Sequence, residues 1–357
     1  MIDQGLVLAA AVAFLAAAAI AYALTPLVRS VAHRVDAIDH PDERRVNTSP
    51  MPRGGGVAVG VAYLVVVVAL LVVDATVGLW RPGSAPPSPG MAALLLGGAA
   101  AMGIGLLDDR FDLRARWQLG GQVLVALVPV VLGISVGAIA NPFGPGVIRL
   151  EGLFAAVFVV VWIVGMINSI NFIDGLDGLS SGVALIAALT LAVISVTGTR
   201  SEPVVALVCV AFAGALLGFL RWNFHPASIF IGTSGVMFVG YTLAILSILG
   251  SAKVAVALLV LGVPIIDTFY IIVRRLAAGR SPFSADRGHI HHRLLDLGLS
   301  HTQTVLLIYA ICAGLGVLSL VLSGTGQLYA FLGAFDVLGL VILLLDRVVE
   351  SRKVDDA

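Results

Sequence analysis

Apolar runs of about 20 residues, the length that crosses a hydrocarbon core of about 30 Å, recur from one end of this 357-residue chain to the other. Eleven are distinguished, at approximately 5–28, 55–74, 90–107, 118–138, 152–168, 179–197, 203–220, 230–250, 253–273, 303–323 and 328–346. Lipid cannot satisfy backbone N–H and C=O groups, so a run of this kind is expected to be a helix that satisfies its own. The expected fold is therefore all-α: a polytopic integral membrane protein built as a bundle of about eleven transmembrane helices. The composition, 59% hydrophobic and only 12% charged with a mean hydropathy of +1.05, excludes an ordinary soluble domain. The first run lacks a basic leader and a small-residue cleavage motif, so it is expected to be a retained span.

Basic residues set the expected orientation, because Lys and Arg are held on the cytoplasmic side. With the N-terminus outside and the C-terminus cytoplasmic, only Arg81, Arg149, Arg200 and Lys253 fall outside, and the other 17 of the 21 basic residues fall inside. The zero net charge averages two unlike faces. No segment is long enough for a second domain, so residues 1–357 are read as one transmembrane domain with inner segments at 29–53, 108–117, 168–178, 221–229 and 274–302. The outer loops are short and turn-rich, and 141–151 has the composition of a small hairpin. Cys209 and Cys312 lie within runs and are expected to be packing residues, with no disulfide framework or zinc spacing. The lipid bilayer is the expected surrounding, and no nucleic acid is expected as a partner.

The inner segments hold nearly all the residues with chemical potential. "NSINFIDGLDGLSS" (168–181) places Asn168, Asn171, Asp174 and Asp177 three apart, a single polar edge continuing from the fifth run, with Gly175 and Gly178 allowing close approach. "GIGLLDDRFDLRARWQ" clusters Asp108, Asp109 and Asp112, expected at a water boundary and on one helical face. Hard divalent cations seek such oxygens. "FSADRGHIHHRLLDLG" carries His289, His291 and His292 beside Arg287 and Arg293, with His289 and His292 expected on one helical face. These imidazoles suit acid–base chemistry, or metal or phosphate binding. Asp267, within the ninth run, costs about 2.5–3.5 kcal/mol at membrane depth, so a paired or functional role is expected. "DHPDERRVNTSPMPRGGG" joins Arg44, Arg45 and Arg53 to a glycine triplet whose N–H groups could cradle phosphate.

Together with "RWNFHPASIFIG", these stretches occur in one order, and from about residue 25 to 300 the chain resembles the polyprenyl-phosphate N-acetylhexosamine-1-phosphate transferases. It looks most like the bacterial undecaprenyl-phosphate GlcNAc-1-phosphate branch. The resemblance implies ten or eleven helices and a site opening to the inner leaflet of a bacterial plasma membrane. It also implies transfer of a sugar 1-phosphate from a UDP-N-acetylhexosamine to undecaprenyl phosphate, releasing UMP, with Mg²⁺ or alternatively Mn²⁺, and leaves a homodimer open. Residue by residue, it makes Asp108 and Asp109 metal-binding or catalytic and His289, His291 and His292 catalytic. Asn171, Asp174, Asp177, Asn223 and Phe230 would face the nucleotide, with Asp174 and Asp177 also offered to the metal. Apart from the resemblance, Arg44, Arg45 and Arg53 are offered to phosphate by their charge and fork geometry beside the glycine triplet, the alternative being positive-inside retention.

Two departures matter. The peptidoglycan-initiating branch has a Lys three residues after the second paired Asp, where this chain has Asp112, which argues for a GlcNAc-type substrate. Relatives usually read F-x-G-D-x-G where this chain reads "FIGTSG", so Thr233 replaces a metal-binding acid. A hydroxyl can complete a metal shell but brings no charge. The chain is therefore expected to be an enzyme with a raised metal requirement, the alternative being a non-catalytic relative that binds lipid phosphate or nucleotide.

Overall fold

The computed structural model describes residues 4–40, 50–78, 88–144, 146–198, 201–250, 253–281 and 288–355. Each of the eleven apolar runs is helical. Among the described residues, nine helices are long and apolar enough to cross a membrane: α1 (Gln4–Arg34), α2 (Gly56–Val77), α3 (Pro89–Phe111), α5 (Gly152–Ile173), α6 (Leu179–Thr197), α7 (Pro203–Asn223), α8 (Gly232–Leu249), α12 (His301–Val321) and α13 (Thr325–Asp355). The short α4 (Ala115–Val131) and the pair α9 (Lys253–Val260) and α10 (Gly262–Ala277) account for the other two runs.

Both of these differ from expectation, for local reasons. The fourth run stops at Val131 because the chain turns through Gly133, at a φ of 79°, into a hairpin of β3 (Ala138–Ala140) on β4 (Val147–Arg149). The ninth run is bent by 82° between its two helices. Pro264, four residues after Val260, offers no N–H to that carbonyl and its ring would clash with it, so α9 ends there.

Small residues let the helices approach. On α1, Ala13, Ala17 and Ala21 recur every fourth residue and are buried. They face α7, where a Cβ at Gly214 or Gly218 would overlap the backbone of Phe14 or Ala18. Close backbone contact of this kind drives association where lipid removes the hydrophobic effect. The centre of the bundle is α8, and its first turn is gripped from two sides by backbone: a Cβ at Gly56 would overlap Gly235, and one at Gly105 would overlap Ser234. Described residues of the segments linking α1–α2, α3–α4, α5–α6, α7–α8 and α10–α12, among them Arg53, Asp112, Asp174, His225 and His292, line one cavity together with Gly232 and Thr233 at the N-terminus of α8. The short pair β1 (Ile38–Asp39) on β2 (Met51–Pro52) and the seven-residue α11 (Ile290–Asp296) complete that end.

Candidate active site

The floor of the site is the start of α8. Gly232 has a φ of 73°, and a Cβ there would lie 2.6 Å from the Gly54 nitrogen and 2.7 Å from both Asp109 carboxyl oxygens, so only glycine fits. Asp109 accepts the N–H of Thr233 at Oδ1 (2.7 Å) and of Ser234 at Oδ2 (3.0 Å). It therefore caps the first turn of α8 from another helix, where the dipole favours an anion. Asp108 turns the other way, and its Oδ1 accepts from Leu113 N–H (3.0 Å) and Gln118 Nε2 (2.8 Å).

These contacts correct several expectations. The acid pair is not at an open water boundary: Asp108 and Asp109 are 3% and 6% exposed. Nor does Asp112 share their face. It ends α3 in the left-handed region, at a φ of 49°, with an exposed carboxylate 3.9 Å from Arg53, because the helix that would have aligned it stops at Phe111. The glycine triplet is not a free phosphate cradle: Gly55 and Gly56 N–H donate to Phe230 and Ile231 carbonyls (2.9 and 2.8 Å). This ties the first inner segment to the α7–α8 turn. Arg53 is paired with Asp39 through Nε and Nη2. Arg44 and Arg45 lie outside the described residues.

The turn after α5 delivers the central acids. Asp174 ends that helix, and Ser180 donates to its Oδ1 (2.5 Å). Burial, more than offsetting that bond and reinforced by Asp109 and Asp177 nearby, pushes its pKa up to about 7. Asp177 Oδ2 accepts Ala227 N–H (3.1 Å) and lies 2.8 Å from His225 Nδ1. Asn223 is spent on structure: Ser181 donates to its Oδ1 (2.8 Å), and its Nδ2 donates to Ile229 O (3.1 Å). That brings α6 to the α7–α8 turn and leaves the amide less free for a base than expected.

The histidine segment is anchored by Asp267, which sits at the start of α10 just past the break. Its Oδ2 lies 2.7 Å from His289 Nδ1, and its Oδ1 accepts Ile290 N–H (2.9 Å). The expectation that Asp267 is paired is met. His289 and His292 do not share a helical face, because α11 begins at Ile290 and His289 is extended before it. Instead the three rings form a row, His289 to His291 at 5.6 Å and His291 to His292 at 4.4 Å between centroids. His291 is buried against Gly175, whose missing Cβ leaves room for the ring. Burial, with His292 and His289 alongside, holds its pKa well below the usual imidazole range, so it is neutral.

Two cavities meet at this end of the bundle. The larger, about 570 Å³, is walled by Arg53, Asp108, Asp109, Asn171, Asp174, Asp177, Asn223, Phe230, Thr233 and His292. The smaller, about 330 Å³, is walled by Asn168, Asn171, Phe172, Asp174, Arg275, His289, His291 and His292. Gln118, Asn171, Asp174, Gly175 and His292 line both. The polar row read from the sequence therefore runs from one cavity into the other, from Asn168 to Asp177. His289 and His291 join only the smaller. Sequence reasoning missed Asp39, Gln118, His225 and His301 as wall residues. His225 stood inside a quoted motif, whereas His301 opens a long apolar run and gave no signal.

The donor set suits a hard cation at the larger cavity. Asp174 is a buried acid with two other acids adding to the cost of its charge, an arrangement that a dication relieves. Asp174, Asp108, Asn171 and Thr233, which carry carboxylate, amide and hydroxyl oxygens, all line that cavity. Asp109 lines the same cavity, with one N–H of α8 on each oxygen and a further lone pair on each.

Residues 91–251 match the sequence profile of glycosyl transferase family 4. The chain is 34% identical over 307 residues to the probable undecaprenyl-phosphate N-acetylglucosaminyl 1-phosphate transferase of Bacillus subtilis strain 168, covering 84% of this chain and 81% of that protein. It is 37% identical over 360 residues to the decaprenyl-phosphate N-acetylglucosaminephosphotransferase of Mycolicibacterium smegmatis, covering 93% and 87%. With the undecaprenyl-phosphate alpha-N-acetylglucosaminyl 1-phosphate transferase of Salmonella typhimurium it shares 28% over 309 residues, covering 82% and 78%.

Proposed function

The chain belongs to glycosyl transferase family 4, the polyprenyl-phosphate N-acetylhexosamine-1-phosphate transferases, and from that premise we propose that it moves GlcNAc 1-phosphate from UDP-GlcNAc to undecaprenyl phosphate. The observation that carries this reading is the pair of cavities sharing one wall of Gln118, Asn171, Asp174, Gly175 and His292. A nucleotide-sugar fits the larger, where half-buried Phe230 offers a face for the base. The acceptor phosphate fits the smaller, beside buried Arg275 and the histidine row. The site faces the cytoplasm, in keeping with the 17 basic residues on that side.

In the reaction, an oxygen of the lipid phosphate attacks the phosphorus next to the sugar. A new P–O–P bond forms to the lipid, the bond to the bridging oxygen of the donor breaks, and UMP leaves with that oxygen. Mg²⁺, with Mn²⁺ as a substitute, would supply charge neutralisation when held by Asp174, Asp108, Asn171 and Thr233. The chain's own groups do the rest. Arg275 and His289, the latter oriented by Asp267, position the acceptor, and neutral His291 packs the turn that carries Asp174. His292, on the shared wall, is placed to donate a hydrogen bond to a phosphate oxygen as charge shifts between the cavities.

Thr233 favours one second reading, a non-catalytic binder, because the usual acid is replaced. One assay separates them. The full chain in nanodiscs containing undecaprenyl phosphate is incubated with radiolabelled UDP-GlcNAc, with and without Mg²⁺. Label entering the lipid fraction with release of UMP, only with the cation, is expected. No lipid label from folded protein at any Mg²⁺ concentration overturns the transferase reading.

A further inference from the structure

In the wall of the larger cavity, three ligating side chains from three separate segments converge: Asp177 from the α5–α6 turn, His225 from the α7–α8 turn, and His301 at the start of α12. One ligand atom from each lies within 4.8 Å of the others. We propose that Asp177, His225 and His301 form a binding site for a Zn²⁺-class transition-metal ion, distinct in position and in metal preference from the Mg²⁺ locus.

The chemistry of the donors argues first. Two imidazoles and one carboxylate suit Zn²⁺, Co²⁺ or Ni²⁺, whereas Mg²⁺ prefers an all-oxygen octahedron. Around a tetrahedral ion with bonds of about 2.0–2.1 Å, ligand atoms are about 3.4 Å apart, so the three need only a modest closing movement.

The supports are also those of a metal site. Ala227 N–H donates to Asp177 Oδ2 and fixes that carboxylate, the outer hydrogen bond that orients a ligand. His301 is held by a capping box, in which Ser300 accepts Gln303 N–H (3.3 Å) and donates its own N–H to Gln303 Oε1 (2.9 Å). Its ring lies 4.1 Å from that of His225, nearly parallel. Its Nε2 is buried with no hydrogen-bond partner among the described residues, an atom that a metal would satisfy. His225, 41% exposed at its side chain, leaves the ion open to solvent and to the cavity, so the site would hold three protein ligands and one exchangeable position. None of this depends on the transferase reading.

The test is a Co²⁺ titration of the purified full chain in excess Mg²⁺, read by visible absorption, since nitrogen-ligated tetrahedral Co²⁺ absorbs far more strongly than oxygen-ligated octahedral Co²⁺. One equivalent of strongly absorbing Co²⁺, displaced by Zn²⁺, is expected. Affinity should fall at least about tenfold in His301→Ala and in His225→Ala, and should persist in His292→Ala. Should His301→Ala fail to fold, Asp177→Asn, which keeps the shape and the acceptor for Ala227, is read the same way. Absence of the strong absorption in the natural protein, or its survival unchanged in folded Asp177→Asn or His225→Ala, overturns the site. So does its loss in His292→Ala alone.

Discussion

Asp109→Asn and Asp108→Asn make a sharp pair of experiments, because the two neighbouring acids have opposite structural duties. Asp109 uses both oxygens, one for each of two N–H groups in the first turn of α8. An amide keeps one oxygen and places an NH₂ donor against the other N–H. One charge-assisted bond, about 1.5–3 kcal/mol, is lost, and with it about 0.3–1 kcal/mol of charge–dipole attraction. Asp109 is buried, so relief of its charge's desolvation offsets part of this, and the expected net loss of stability is about 1–3 kcal/mol. In Asp108, the hydrogen bonds from Leu113 and Gln118 converge on Oδ1, and asparagine can offer the same oxygen to both. Its expected cost is about 1 kcal/mol or less, the difference between charged and neutral acceptors. Transfer should nonetheless fall steeply in Asp108→Asn, where an oxygen offered to the cation loses its charge. The assay is SDS-driven unfolding of each purified protein in mixed micelles, followed by helical circular dichroism alongside transfer activity. If Asp109→Asn unfolds at the same SDS fraction as the unmutated protein while losing all activity, Asp109 is a metal ligand and the capping argument is wrong.

Asp174 makes the metal requirement depend on pH. Its folded pKa is raised from 3.8 to about 7, so the stability linked to its protonated form is full below about 4 and is lost as pH rises through about 7. Metal-free protein should therefore melt lower at pH 8 than at pH 6, and Mg²⁺ should raise the melting temperature more at pH 8; thermal scans with and without Mg²⁺ that show the reverse refute it. Thr233→Asp should shift the Mg²⁺ titration of transfer to lower concentration, because it returns a charge to the wall that holds Asp174; an unchanged titration removes residue 233 from the metal shell. Asp267→Asn should lower kcat by about tenfold or more, since the new NH₂ donates to His289 Nδ1 and moves the ring proton to Nε2. NMR of the labelled imidazole should report the changed tautomer, and a normal kcat with that change would make His289 a packing residue.

The helical architecture and the end of the bundle where the two cavities lie were legible in the sequence, since both follow from short-range quantities: run length, and the clustering of Asp, His and Asn at the ends of the runs. Destinations of hydrogen bonds were not. Nothing around Asp109 announces that its partners are Thr233 and Ser234 on a distant helix, nor that Gly55 and Gly56 would spend their N–H groups on Phe230 and Ile231. A glycine triplet looks the same whether it receives phosphate or another strand of the same chain. Arg53 reads as a free cation until Asp39 is seen against it. The histidine motif was recognised as a group, but its division, with His292 on both cavities and His289 and His291 on one, depends on where Asp267 pulls the segment. His301 was invisible because a single histidine before twenty apolar residues has the pattern of a helix start.

The walls of the larger cavity reach from Asp39 to His301 in the chain, and this spread bears on how the protein is born. Ribosomes deliver a membrane chain from its N-terminus, and the first seven helices can insert and pair, with α1 already able to seat on α7, while the floor supplied by α8 is still unmade. Asp109 then waits without the turn it caps, and the acids of the α5–α6 turn wait without His225, His292 or His301. A product of synthesis interrupted before His301 would lack part of the cavity wall. The wall is completed late, when α12 enters the bundle and its first residue joins the loops.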